Sequence, residues 1–213
     1  MRNEIDHVTV GAADLESGAA DMRRLLGIDM PAGGKHADMG THNRLMRTTD
    51  GEFLELLAID PEAPAPGRPR WFGLDVPSRR ARLAQGPAPV GWVVRTDDLD
   101  GVVALSPVDL GPVKSMARGT RSWRLTVPDD GVGALGGIVP GFIQWDGPPH
   151  PSAGMAPSGL VLEAVIVRHP DPAAVADFLA ATGIAALAAV EAAASPGLAF
   201  VLRRPDGTRR VLA

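Results

Sequence analysis

Short runs of β-branched residues recur along the chain, each followed by a polar step and then by apolar positions at helical spacing. Val8, Thr9 and Val10 form the first run; Trp92, Val93 and Val94 the second; Val165, Ile166 and Val167 the third. Such runs predict strands. Asp14, Asp98 and Asp171 follow them at the position of a helix N-cap, where a carboxylate accepts hydrogen bonds from the free amide groups of the first turn. After Asp14 the apolar residues Leu15, Ala19, Met22, Leu25 and Leu26 share one helical face, and Gly27 supplies a stop. After Asp171, Pro172 takes the first helical position, Val175, Phe178 and Leu179 recur similarly, and Gly183 ends the segment. The helix after Asp98 must be short, because Pro107 follows soon.

The downstream segments repeat as well. Leu45 to Leu57 reads as two strands about an Asp50-Gly51 turn, and Val201 to Leu212 as two strands about Asp206-Gly207. The interval from capping aspartate to turn aspartate is 36 residues in the first case and 35 in the third. The middle unit carries Ser122 to Val127 and Gly141 to Trp145 as its later strands. The chain therefore reads as an α+β protein of repeated βαβββ modules, at residues 1–60, 88–147 and 159–213, the third divergent. Linkers rich in proline join them, Pro61 to Pro69 and Asp146 to Gly159, the latter with Pro148, Pro149 and Pro151. Gly131 to Gly141 reads as an irregular loop. Its glycines lack the strand–turn–helix setting of a phosphate-binding loop.

Charge and composition narrow the partners. A formal charge of −4 and a pI near 5.7 disfavour nucleic acid and anionic membrane. The absence of cysteine removes disulfides, thiol nucleophiles and cysteine zinc sites, and fits a reducing cytoplasm. No apolar run approaches the roughly 18 residues of a membrane span, and Met1 to Val10 lacks a signal-peptide core. A cytoplasmic protein acting on a small molecule is the expectation.

Ile5 to Val10, the capped helix ending at Leu25-Leu26-Gly27, Gly40 to Leu45, and Phe53 to Leu57 together resemble a glyoxalase-like module of the vicinal-oxygen-chelate superfamily. The resemblance covers residues 4 to about 150 and weakens beyond. It implies two modules whose curved sheets enclose a cup, with the third packed alongside or serving a homodimer. It also implies a divalent metal (Zn, Mn, Ni or Fe) held by His7, Glu55 and Gln144, with Glu55 alternatively the base of a lyase or isomerase reaction. Imidazole and carboxylate suit such ions. Module two departs from the pattern, since the counterpart of His7, seven residues before the capping aspartate, is Gly91. The resemblance thus leaves two readings open: a metal-dependent lyase or isomerase on a small oxygenated substrate, and a metal-free protein that sequesters a drug-like molecule.

Around the cup, His42, Asn43, Arg124, Trp145 and His150 are the candidate substrate contacts. Each has a plainer alternative. Asn43 can tie the start of its strand through turn hydrogen bonds. Arg124 can pair with Glu55 and so replace a metal. Trp92, Trp123 and Trp145 can be core residues or can line a pocket. The segment Gly33 to His36 is expected as a loop before the second strand.

Overall fold

The βαβββ order read from the periodicity is present in the structure, a computed structural model that describes residues 1–147 and 149–213; Pro148 of the second linker lies outside them. The first unit comprises β1 (Asn3–Gly11), α1 (Leu15–Leu26), β2 (Ala32–His36), β3 (Thr41–Thr49) and β4 (Glu52–Ile59). A linker carrying α2 (Pro77–Leu83) leads to β5 (Ala88–Thr96), α3 (Leu99–Leu105), β6 (Val113–Arg118), β7 (Arg121–Thr126), a distorted turn α4 (Ala134–Gly137) and β8 (Gly141–Trp145). The remaining elements are β9 (Val161–His169), α5 (Pro172–Ala181), β10 (Ala189–Ala192), β11 (Gly197–Arg203) and β12 (Arg209–Leu212). Among the described residues no helix is long and apolar enough to cross a membrane.

The three aspartates cap their helices. Asp14 accepts from Ser17 N at 2.8 Å, Asp98 from Gly101 N at 2.9 Å and Asp171 from Ala174 N at 3.0 Å. Gly27 ends α1 in the left-handed conformation, φ 75°.

Eight strands form one curled sheet in the order β2-β3-β4-β1-β5-β8-β7-β6. The two halves meet along the antiparallel β1–β5 seam, and each half repeats the same pairing, with β1 parallel to β4 and β5 parallel to β8. Strand alternation then sorts the side chains. Val8, Val10, Leu54, Leu56, Trp92 and Val94 enter one core with Met22 and Leu26 of α1 and Leu99 and Val102 of α3. Trp92 is thus a core residue, its indole N–H donating to Ile138 O at 2.9 Å. The opposite face of the sheet lines a concave cup.

Residues 161–212 share the spacing of the first unit but not its connectivity. Their sheet runs β10-β9-β11-β12, with β10 parallel beside β9. In the first unit the second strand instead lies at the far edge from the first. This smaller sheet packs behind the large one: Phe178, Phe200 and Leu202 join the core on the convex side, and Phe178 meets Phe142 edge-to-face at 6.5 Å. Arg204 reaches across to donate to Leu26 O at the end of α1, a favourable place for a cation.

Two irregularities shape the concave face. The β1–β5 register shifts between Ile5 and His7, so Asp6 is an extra residue in a bulge. The linker, read from sequence as a spacer, drives two rings into the cup. Arg70 N and Nη1 both donate to Asp75, at 2.8 and 2.7 Å, and Gly73 N donates to Gly131 O at 2.8 Å. These bonds hold Phe72 at φ 56°, an unfavourable backbone for an aromatic residue. Its ring lies over Gly91, where a Cβ would come within 2.1 Å of a ring carbon. Gly91→Ala is therefore expected to cost about 1–3 kcal/mol of stability by overpacking. Adding Phe72→Ala should restore part of that loss, with a coupling of about 0.5–3 kcal/mol in urea unfolding. Strictly additive costs would show that ring and glycine do not meet.

Candidate active site

The cup encloses about 640 Å3, counting the space at its open mouth. Its base is built from charged and polar side chains of β1, β3 and β4, its walls from aromatic rings of the linker and of β7 and β8.

Asp6 is fully buried, and a buried carboxylate needs partners. It has three. Oδ1 meets His7 Nδ1 at 2.6 Å; Oδ2 accepts from Trp145 Nε1 at 2.8 Å and from His150 Nε2 at 2.9 Å. Burial works to raise the Asp6 pKa, but hydrogen bonds from His150 and His7, with the charge of His7, outweigh it and hold the carboxyl far below its ordinary range. Proton positions follow from groups that can only donate. Ser152 N donates to His150 Nδ1 at 3.2 Å, so Nδ1 bears the lone pair and the proton sits on Nε2, facing Asp6.

His7 donates a hydrogen bond from Nδ1 to Asp6, which leaves Nε2 facing the cup, 3.8 Å from Glu55 Oε2. Its ring stacks on Phe53 at 4.6 Å, which fixes the imidazole plane. Burial tends to lower the His7 pKa, but the hydrogen bond and charge of Asp6 and the charge of Glu55 prevail and raise it, favouring the imidazolium.

Glu55 is buried and held on both oxygens. Asn43 Nδ2 donates to Oε1 at 2.7 Å and Thr9 Oγ1 to Oε2 at 3.0 Å. The Asn43 amide is oriented by Gly34 N, which donates to its Oδ1 at 2.7 Å. Gly33 passes so close that a Cβ there would lie 2.1 Å from the same oxygen. The segment expected as a loop is thus the edge strand β2, paired to β3 through a register shift between Ala32 and Lys35. His36 closes this group: its Nδ1 meets Thr41 Oγ1 at 3.0 Å, and burial lowers its pKa, favouring the neutral ring.

The structure brings together His7, Asn43, Glu55, Trp145 and His150. His150 lies behind Asp6 rather than inside the cup. Three other candidates fall on the wrong face of their strands. Gln144 points out toward α3, its Oε1 accepting from Leu99 N at 3.1 Å and Arg124 Nη2 at 2.9 Å, while its neighbours Ile143 and Trp145 line the cup. Arg124 turns away with it and pairs with Asp100 at 3.0 Å, not with Glu55; Trp123 and Leu125 are the cup-facing residues of β7. His42 also lies on the outer face of β3 with Arg44, opposite the cup-facing Asn43 and Leu45, and its buried Nε2 has no partner among the described residues. Register further shows that Gly141, not Gln144, is the counterpart of Glu55. Glu55 pairs with Thr9, two residues after His7; Gly141 pairs with Val93, two residues after Gly91.

The residues present therefore do not suit the divalent metal that the resemblance implies. His7 and Glu55 share the cup, but both counterparts in the second half are glycines, and the Phe72 ring stands on one of them. Among the described residues no group of three His, Cys, Asp or Glu is placed to hold a metal. Sequence reasoning also missed Asp6, Trp71 and Phe72. The adjacent acid and base at Asp6-His7, and two consecutive aromatics inside a polar linker, were the available signals.

The sequence profile of the Glyoxalase-like domain matches residues 5–183. A search of functionally curated proteins finds no match. Among solved structures, a hypothetical protein from Staphylococcus aureus is 16% identical, with a TM-score of 0.65 over 92% of this chain and 88% of that one. The Streptomyces coelicolor methylmalonyl-CoA epimerase (S115T) in complex with 2-nitronate-propionyl-CoA is 18% identical, with a TM-score of 0.44 over 70% and 98%. The Mycobacterium tuberculosis methylmalonyl-CoA epimerase is 19% identical, with a TM-score of 0.41 over 70% and 91%. The first of these, at 16% identity, speaks to fold alone. With the profile spanning most of its length and two βαβββ halves closing one cup, this chain belongs to the Glyoxalase-like domain family, within the vicinal-oxygen-chelate superfamily.

Proposed function

We propose that the cup is the active site of an isomerase or lyase that moves a proton at a carbon next to a carbonyl group, on a small and largely apolar substrate. The observation that carries this reading is the buried line Asp6–His7–Glu55, with contacts of 2.6 and 3.8 Å. It sets a base beside an acid. Glu55, accepting two neutral hydrogen bonds, keeps lone pairs free for a proton. His7, held cationic by Asp6, offers its Nε2 proton to the carbonyl oxygen.

In the first step Glu55 takes the α-proton, the C–H pair becomes the carbon–carbon double bond, and the carbonyl oxygen receives the proton from His7. A neutral enol results, and His7 keeps its second proton on Nδ1 against Asp6. Returning the proton at another face or carbon gives an isomer; expelling a β-substituent gives a lyase product. The imidazolium supplies positive charge where charge develops on oxygen. The walls exclude water and hold the substrate by apolar contact, with Trp123 and Trp145 centred 5.1 Å apart. Those same rings favour a second reading, a protein that only sequesters an apolar molecule.

Proton NMR in D2O separates the two. Wild type is expected to exchange the α-hydrogens of 1-hydroxy-2-alkanones, and Glu55→Gln should slow this by about 10²–10⁴-fold while tryptophan quenching by the ligand persists. Quenching with no exchange by wild type would leave sequestration.

The charge on His7 also carries a stability expectation. Its pKa is raised on folding, so its contribution is complete below the ordinary histidine value near 6.5 and is lost as pH rises through the raised value. Asp6 behaves oppositely: its contribution is present above 3.8 and fades only as pH falls through its depressed value. Urea midpoints should therefore fall from pH 6 to pH 9 more for wild type than for His7→Gln. Parallel curves would mean that His7 is not cationic in the folded protein.

A further inference from the structure

A second cavity, of about 550 Å3 with its open space, adjoins the cup along the concave face of β5, β7 and β8. Trp71, Phe72, Val93 and Leu125 line both. The two are thus compartments of one trough, parted by the Trp71–Phe72 turn, and that turn is pinned by the Arg70–Asp75 and Gly73–Gly131 hydrogen bonds. The floor of the second compartment includes Gly141, the counterpart of Glu55, so an acid in one half of the trough is answered by open space in the other. Val127, Val132 and Val139 give it apolar walls. A more open pocket beyond it shares Asp109, Pro128, Gly133 and Ala134 with it and adds Asp129 and Asp130, while Arg68 meets Asp129 at 3.7 Å.

We infer that the second compartment holds the tail of the cup's own substrate. The substrate is then an elongated carbonyl compound with its reacting end at His7 and Glu55 and an unbranched apolar chain running past Phe72. Its far end is neutral or cationic, since Asp109, Asp129 and Asp130 stand at the rim with one guanidinium, Arg68, which is paired to Asp129; a second guanidinium near the compartment, Arg79 beside Gly137, is engaged with Pro89 O. An anionic tail, such as a carboxylate or a phosphate, meets repulsion there. This inference rests on the reading of the cup as the reacting end.

The test uses 1-hydroxy-2-alkanones of four to twelve carbons, with deuterium exchange for reaction and tryptophan fluorescence for binding. Burying each added methylene is expected to raise exchange efficiency and affinity about threefold to fourfold, until the chain reaches the rim. An ω-carboxylate on the longest homologue should lose most of that gain, and Asp109→Asn with Asp129→Asn should return part of it. Two variants fill the compartment from different walls: Gly141→Leu, where a Cβ meets Leu125 and Val93 at an ordinary 3.6 Å, and Ala134→Trp. Each should bring the ratio of long-chain to short-chain efficiency toward one, with circular dichroism confirming the fold. Exchange that is independent of chain length, or a ratio unmoved in both folded variants, overturns the tail site and leaves the proton-transfer reading standing. Length-dependent binding without any exchange keeps the tail site and sinks that reading. Neither binding nor exchange at any length overturns the inference.

Discussion

A single buried carboxylate ties the concave face together. Asp6 enters the sheet as the extra residue of a bulge and would be costly there alone. Its three donors come from three parts of the chain: His7 from β1, Trp145 from the end of β8, and His150 from the proline-rich linker. The last two bring the second half of the sheet and the linker up to the first half. Ser152 extends the same contact, since its Oγ accepts from Gly51 N at the β3–β4 turn. Assembly of the cup and stabilisation of the Asp6 charge are therefore coupled, because each donor that stabilises the charge also positions a wall.

The same charge decides what His7 can be. An imidazole between two carboxylates is favoured as a cation, and a cation facing a carboxylate across 3.8 Å is an acid beside a base. In a fold whose resemblance implies a metal, the proposed reaction takes the positive charge at this point from a proton on His7. The two differ in consequence. A metal needs three or more protein donors converging on it, whereas a protonated imidazole needs only the one carboxylate behind it. That is why the second half of the sheet can carry glycine at both counterpart positions without emptying the site of charge.

What was legible in the sequence is what local physics sets. The capping aspartates, the helix from Leu15 to Leu26, and the turns at Asp50-Gly51 and Asp206-Gly207 depend on near neighbours, and all are present. The pairing of His7 with Glu55 was legible through resemblance. Gln144, Arg124 and His42 show where the reading failed: strand parity puts successive residues on opposite faces, and a choice one residue off sends the side chain outside. The β2 strand was hidden by Gly33 and Gly34, poor strand formers; at Gly33 a side chain would collide with Asn43. The sheet of residues 161–212 was hidden differently. Its spacing matches the first unit to one residue, yet strand order is a matter of nonlocal pairing, which spacing does not report.

Gly91 links the chemistry of the cup to its shape. With no side chain at that position, no donor enters the cup from there and the surface is open for the Phe72 ring. The ring arrives only because Arg70, Asp75, Gly73 and Gly131 hold the linker in a backbone that an aromatic residue otherwise avoids. Strain of that kind persists where the surroundings over-determine it, and here they fix the ring at the division between two compartments. Where the first half of the sheet presents His7, the second half presents the Phe72 ring seated on a glycine. In the reading proposed here, charge recognition falls to His7 and Glu55 and length recognition to the space around Phe72.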